Sequence, residues 1–207
     1  MDKLIRYLRS DHYIDDELTR YLRSGHYRKN ELENILNKKI MITKDHINNI
    51  KIKYYFYYRV DMIKLFEKYG YVFTDDDYIM LVKKAGQMLE YIPENKRTNK
   101  ICKIAVQQNG DALYYVPNDK KTDELCEIAV QQYGQALQYI PEDKKTNKIC
   151  EIAVQRDGDI LKYVPEDKKT DEISKMAIQN GGSNVLSFIP KNKIDTIFSW
   201  WCNNYIA

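Results

Sequence analysis

From Thr98 the chain reads TNKICKIAVQQNGDALYYVPNDKK, and its apolar positions fall into two bunches. Ile101, Ile104 and Ala105 share one face at helical spacing, widened by Cys102 and Val106. Ala112, Leu113 and Val116 form the second bunch, in DALYYV. The spacing predicts two helices. Thr98 opens the first as an N-cap, its hydroxyl accepting from a free backbone N–H of the first turn. Gly110 ends it, as a left-handed cap residue would. Pro117 stops the second, shorter helix, and a polar loop leads to the next Thr.

This pattern recurs every 24 residues, from Thr74, Thr98, Thr122, Thr146 and Thr170. The Thr74 copy is weaker and has Tyr78 where Cys102, Cys126 and Cys150 stand. The Thr170 copy carries one extra residue near Gly181, which moves its proline to Pro190. A two-helix unit of this size cannot bury its own apolar face, and stacked neighbours can. The expected fold is therefore all-α: a solenoid of about five two-helix repeats, with first helices in one layer and second helices in the other.

The solenoid is expected to span residues 74–194. Before it, residues 1–73 form a helical region with a 14-residue duplication, LIRYLRSDHYIDDE and LTRYLRSGHYRKNE, and a faded third copy at Leu32. The duplication aligns Arg6 with Arg20, Arg9 with Arg23, His12 with His26 and Tyr13 with Tyr27. Residues 53–70 read as a helix ending at Gly70, and His46 reads as a surface residue. After the solenoid, residues 195–207 are expected to cap the last repeat, through Ile194, Ile197, Phe198 and Trp201 at helical spacing.

The cysteine ladder invites a metal or redox reading. Equivalent residues of stacked helices stand about 9–10 Å apart, too far for a disulfide or for sharing one zinc ion. Ser174 occupies the same position, so the ladder reads as small core residues. Tyr91, Tyr115, Tyr139 and Tyr163, closed by Phe188, form a second ladder, expected in the core, with base stacking as the alternative. On the outer face, Lys100, Glu124, Lys148 and Glu172 alternate in charge, which predicts ion pairs across neighbouring first helices.

Positions that vary between repeats are where a partner would be read. They are Asn109, Tyr133 and Asp157 before the glycine, and Tyr114, Gln138 and Lys162 before the aromatic rung. Trp200 joins them at the C-terminal end.

Composition adds little. The net charge of +3 is split, with 15 Lys/Arg against 10 Asp/Glu in residues 1–73 and 18 against 20 in residues 74–207. Arg6, Arg9, Arg20 and Arg23 therefore carry the nucleic-acid alternative, since Arg pairs with phosphate and stacks on bases. No apolar run has the length of a signal peptide or membrane span. No phosphate-binding glycine loop and no nucleophile–His–carboxylate set is present, so no enzyme, cofactor or metal is expected.

The run A-V-Q-x-x-G-x-x-L-x-Y-V-P-x-x-K-K-T-x-x-x-C resembles a tandem-repeat domain of unknown function found abundantly in giant, mimivirus-like viruses of amoebae and in some bacteria. The resemblance covers about residues 74–190 and brings no catalytic residues. It implies a viral protein in the cytoplasm of an infected host cell, or in the virion. The reading is a non-enzymatic helical-repeat scaffold or adaptor that binds a host or viral protein. A nucleic-acid-binding module and a self-associating structural protein are the alternatives.

Overall fold

A computed structural model of the chain describes residues 20–22, 29–38, 42–48 and 62–205. All secondary structure among the described residues is helical. The chain divides into two compact units, Met1–Asp77 and Tyr78–Ala207.

The first unit holds helices α1 (Lys29–Leu36), α2 (Lys44–Asn48) and α3 (Met62–Lys68). In α1, Leu32, Ile35 and Leu36 recur at one face and all three are buried. In α3, Ile63 and Phe66 do the same, and the Phe73 ring stacks parallel to Phe66 with centroids 6.5 Å apart. Gly70 ends this helix as predicted. Its φ is +89°, its N–H bonds to the Glu67 carbonyl, and the Tyr71 N–H reaches back to the Phe66 carbonyl. That pair of reversed bonds is the Schellman motif. Most of the predicted helix before Met62 lies outside the described residues, as do Arg6, Arg9, Arg23, His12 and His26.

His46 is not a surface residue; it is 2% exposed. Its Nδ1 accepts from the Thr43 backbone N–H at 2.9 Å. The ring thus serves the start of α2 from its third position, as a Glu does in a capping box. Asp77 plays that part for α4 (Asp75–Lys84). Its Oδ2 accepts from the Thr74 N–H at 2.9 Å and the Thr74 hydroxyl at 2.7 Å, while the Asp77 N–H donates to the Thr74 Oγ1.

The repeats continue with α5 (Asn99–Gln108), α6 (Asp123–Gln132), α7 (Asn147–Arg156) and α8 (Asp171–Gly181). Thr98, Thr122, Thr146 and Thr170 cap them as expected, each hydroxyl accepting from the N–H three residues on. In α5 the buried stripe is Ile101, Cys102, Ala105 and Val106, whereas Ile104 is half-buried. Each of these helices packs on the next, and α9 (Ile194–Tyr205) packs on α8.

The second helix of each repeat is a 3-10 helix: Gly86–Tyr91, Gly110–Tyr115, Gly134–Tyr139, Gly158–Tyr163 and Gly182–Phe188. With three residues per turn, Gly110, Leu113 and Val116 line up along one edge, and all are buried. Val116 is already extended, at φ −75° and ψ 128°, because a residue before proline is driven out of the helical region. The polar loop that follows is itself a short 3-10 turn, Asn118–Lys120.

Gly110 is not the left-handed cap that the spacing predicts. The first helix ends at Asn109, in extended backbone at φ −153°. Among the repeats only Gly182 has positive φ, +70°, where α8 absorbs the extra residue. Gly110 is small for another reason: a Cβ there would stand 2.7 Å from the Ala129 carbonyl oxygen of the next repeat. Gly134 faces Ala153 in the same way, and Gly86 and Gly158 face Ala105 and Ala177. The glycine and the alanine of the motif are therefore one contact, repeated at each junction.

Candidate partner-binding face

The residues before Thr98, Thr122 and Thr146 reach across to the next repeat, which their place in a polar loop does not predict. Lys121 is only 6% exposed, and its Nζ donates to the Tyr139 carbonyl of the next repeat at 2.7 Å. Lys145 does the same to the Tyr163 carbonyl at 2.9 Å. Arg97 reaches the Tyr115 carbonyl at 2.6 Å and the Ile92 and Glu90 carbonyls of its own repeat. Lys144 turns the other way, onto the Lys121 carbonyl of the preceding repeat. A 3-10 helix leaves carbonyls unpaired at its C-terminal end, and these cations satisfy them across the junction. Burial lowers the Lys121 pKa. The signal in the sequence is the basic pair before Thr98, Thr122, Thr146 and Thr170: Lys-Arg once, then Lys-Lys three times.

The outer face carries ion pairs between neighbouring first helices, with a shifted register. Lys103 meets Glu124 at 2.7 Å, and Lys148 meets Glu127 at 2.7 Å. The alternating residue is thus paired with the residue three further along the preceding helix. At the following junction the equivalent positions are Glu151 and Glu172, which carry the same charge.

Cys102, Cys126 and Cys150 are fully buried. Burial pushes each thiol up to about 11. The Cys102 Sγ donates weakly to the Arg97 carbonyl at 3.6 Å, and Ser174 bonds the Thr170 carbonyl from the same position. No group of three or more His, Cys, Asp or Glu with metal-binding geometry occurs among the described residues.

The tyrosine ladder is not core. Tyr91, Tyr115, Tyr139, Tyr163 and Phe188 are half-buried and form a stripe along the 3-10 layer. Two rungs, Tyr115 and Tyr139, receive the residue that precedes the rung in the repeat before. Glu90 accepts from the Tyr115 hydroxyl at 3.1 Å. Tyr114 packs edge-on against Tyr139 with centroids 5.1 Å apart, and against Tyr115 at 5.0 Å. Burial, then the Glu90 carboxylate, push the Tyr115 phenol up to about 12. Tyr139 is raised mainly by burial, then by Asp111, Tyr133 and Tyr114.

The sequence candidates divide clearly on this face. Tyr114 is 61% exposed and Tyr133 is 41% exposed. Tyr114 packs on Tyr139, and Tyr133 stands near enough to help raise its phenol. Asn109 and Asp157 have their side chains engaged locally, accepting from the N–H of Asp111 and Asp159 to cap the 3-10 helix. Tyr133 holds the same link position with no side-chain cap bond. Gln138 is half-buried beside this stripe, and Lys162 places its ammonium 4.9 Å from the centre of the Tyr163 ring. Trp200 is half-buried, with the Lys175 ammonium 5.6 Å from its ring. In α9, Ile197 is buried and Phe198 is 47% exposed. Of the four arginines, Arg20 is described and is exposed.

No helix among the described residues is long and apolar enough to cross a membrane. No curated protein and no solved structure matches the chain. Residues 100–144 and 122–167 match, in two overlapping copies offset by about one repeat, a family model described as a domain of unknown function, DUF4116, to which the central repeats of this chain are similar.

Proposed function

We propose that the chain is a non-enzymatic helical-repeat adaptor, and that the 3-10 face of its central repeats binds another protein. One observation carries this reading. The letters that recur in the repeats are consumed by the stack: the Thr caps, the Gly–Ala junctions, the buried cations. Two of the letters that vary, Tyr114 and Tyr133, instead hold large rings in solvent beside the Tyr139 rung. Tyr and Trp are the residues that anchor protein interfaces. At the link position Tyr133 also forgoes a cap bond that Asn109 and Asp157 make, a loss of roughly 1 kcal/mol. A residue that weakens its own repeat while facing water is better explained by a partner than by the fold.

Resemblance of the repeats to the giant-virus family supports a viral protein acting in the cytoplasm of an infected host. Capture of partners by the tagged full chain from infected amoebal lysate, read by mass spectrometry against a Tyr114→Ala/Tyr133→Ala variant, tests the reading. A partner held by the parent and lost by the variant supports it. Reproducible absence of any partner counts against it.

Self-association is the second reading. The exposed Phe198, stacked obliquely on Trp201 with centroids 5.9 Å apart, is the observation that favours it. Light scattering that finds only monomer at high concentration removes it.

A further inference from the structure

We infer that Tyr114, Tyr115 and Tyr139, with Glu90 beside them, form a receptor for a cationic side chain, an arginine or lysine presented by the partner protein. The inference rests on the adaptor reading above and names the chemistry of its ligand. Tyr114 stands nearly perpendicular to Tyr115, at 83°, and steeply to Tyr139, at 66°, with both neighbouring centroids about 5 Å away. Tyr114 is thus the shared neighbour of both rungs, and at 61% exposed its ring keeps aromatic surface open to solvent. The face of an aromatic ring attracts a cation, and the attraction grows as water is excluded.

Charge favours the same ligand. The Glu90 carboxylate is exposed and lies at the Tyr115 hydroxyl. Asp111 adds a second carboxylate near Tyr139, and its Oδ1 is buried without a hydrogen-bond partner. Arg97 and Lys121 are turned onto the backbone carbonyls of Tyr115 and Tyr139. One repeat beyond Tyr139 the chain supplies its own example: at the Tyr163 rung the cation is internal, Lys162 over the ring of its own repeat. At the Tyr115 rung the equivalent preceding residue is Tyr114, a second ring in place of a cation.

The test is a titration of the full chain, with ring-labelled tyrosine followed by NMR. The probes are a neutral-backbone glycine–arginine peptide, the same peptide with citrulline for arginine, and a polyuridine oligonucleotide. The expected result is saturable shifts of the Tyr114, Tyr115 and Tyr139 rings with the arginine peptide, weakened at least severalfold with citrulline. Tyr114→Ala should weaken binding about 3–10-fold, Tyr114→Phe should not, and Glu90→Gln should weaken it about 2–3-fold. Both exposed positions can be altered without touching the core, and an unchanged melting temperature checks this. Equal binding of the citrulline peptide, no effect of Tyr114→Ala, or tighter binding of the oligonucleotide on these rings would overturn the inference. The two readings fail separately. A lysate partner retained by Tyr114→Ala leaves the adaptor standing and removes the cation receptor; peptide binding with no lysate partner does the reverse.

Discussion

Gly110 lies against the carbonyl oxygen of Ala129 in the next repeat, and a Cβ on it would stand 2.7 Å from that oxygen. Backbone cannot yield as a flexible side chain does. Gly134→Ala, where the equivalent distance is 2.9 Å, should therefore push two repeats apart and destabilise the chain by about 1–3 kcal/mol. Gly70→Ala has open space around it but a φ of +89°, so it should cost about 1–2 kcal/mol through backbone strain alone. Urea unfolding measures both losses, and a crystal structure or NMR map separates their causes: Gly134→Ala should show displacement at the Ala153 junction, and Gly70→Ala none there.

Lys121→Met keeps most of the apolar stem and removes the donor to the Tyr139 carbonyl. That carbonyl is then left without its cross-repeat partner, a loss of about 1–3 kcal/mol. Lys100→Met, on the exposed outer face, should lie within about 0.5 kcal/mol of the parent. Equal effects of the two substitutions in thermal melts would show that the buried bond adds nothing.

The outer charge seam predicts a gain. Glu151 and Glu172 occupy positions equivalent to Lys103 and Glu124, so Glu151→Lys should restore the pairing and add up to about 1 kcal/mol. The gain should shrink in high salt, because exposed pairs are screened. A gain that persists unchanged at high salt would need another cause.

The buried thiols predict both a labelling pattern and a pH dependence. Cys202, which is half-exposed, should react with a thiol reagent in the native state, and Cys102, Cys126 and Cys150 only after unfolding. Burial raises the folded-state pKa of these three from an ordinary value near 9 to about 11. The folded chain then holds protons that the unfolded chain has released, so this contribution to stability is complete below about pH 9 and lost as pH rises towards 11. Denaturant midpoints across that range should fall, and should fall less in Cys→Ser variants, as Ser174 already tolerates the position.

Much of this fold was legible because a repeat states its rules five times. Thr98 as a cap and Pro117 as a stop follow from local chemistry and recur in all five copies, and Ile101 and Ala105 as core in the four from Thr98. The glycine was misread because its reason is not local: the space it needs is set by Ala129, 19 positions away. The same holds for Lys121, which looks like a loop residue until the next repeat brings the Tyr139 carbonyl to it. The tyrosine ladder reads as core because a recurring ring looks like packing, whereas in the 3-10 helix Gly110, Ala112, Leu113 and Val116 turn inward and leave Tyr115 at the rim. Tyr114 and Tyr133 stand out in the sequence as variable, but the packing of Tyr114 on Tyr139 depends on stacking that a single repeat does not contain.

The account holds that recurring residues build the stack and that varying ones read a partner. Tyr133→Asn tests this most directly, because it exchanges the exposed ring for the cap that Asn109 supplies in the repeat before. One paired measurement, melting temperature and partner capture on the same preparation, decides it. The account predicts a chain more stable by about 0.5–1 kcal/mol that captures its partner less well. A variant that is no more stable, or one that keeps its full partner binding, would contradict it.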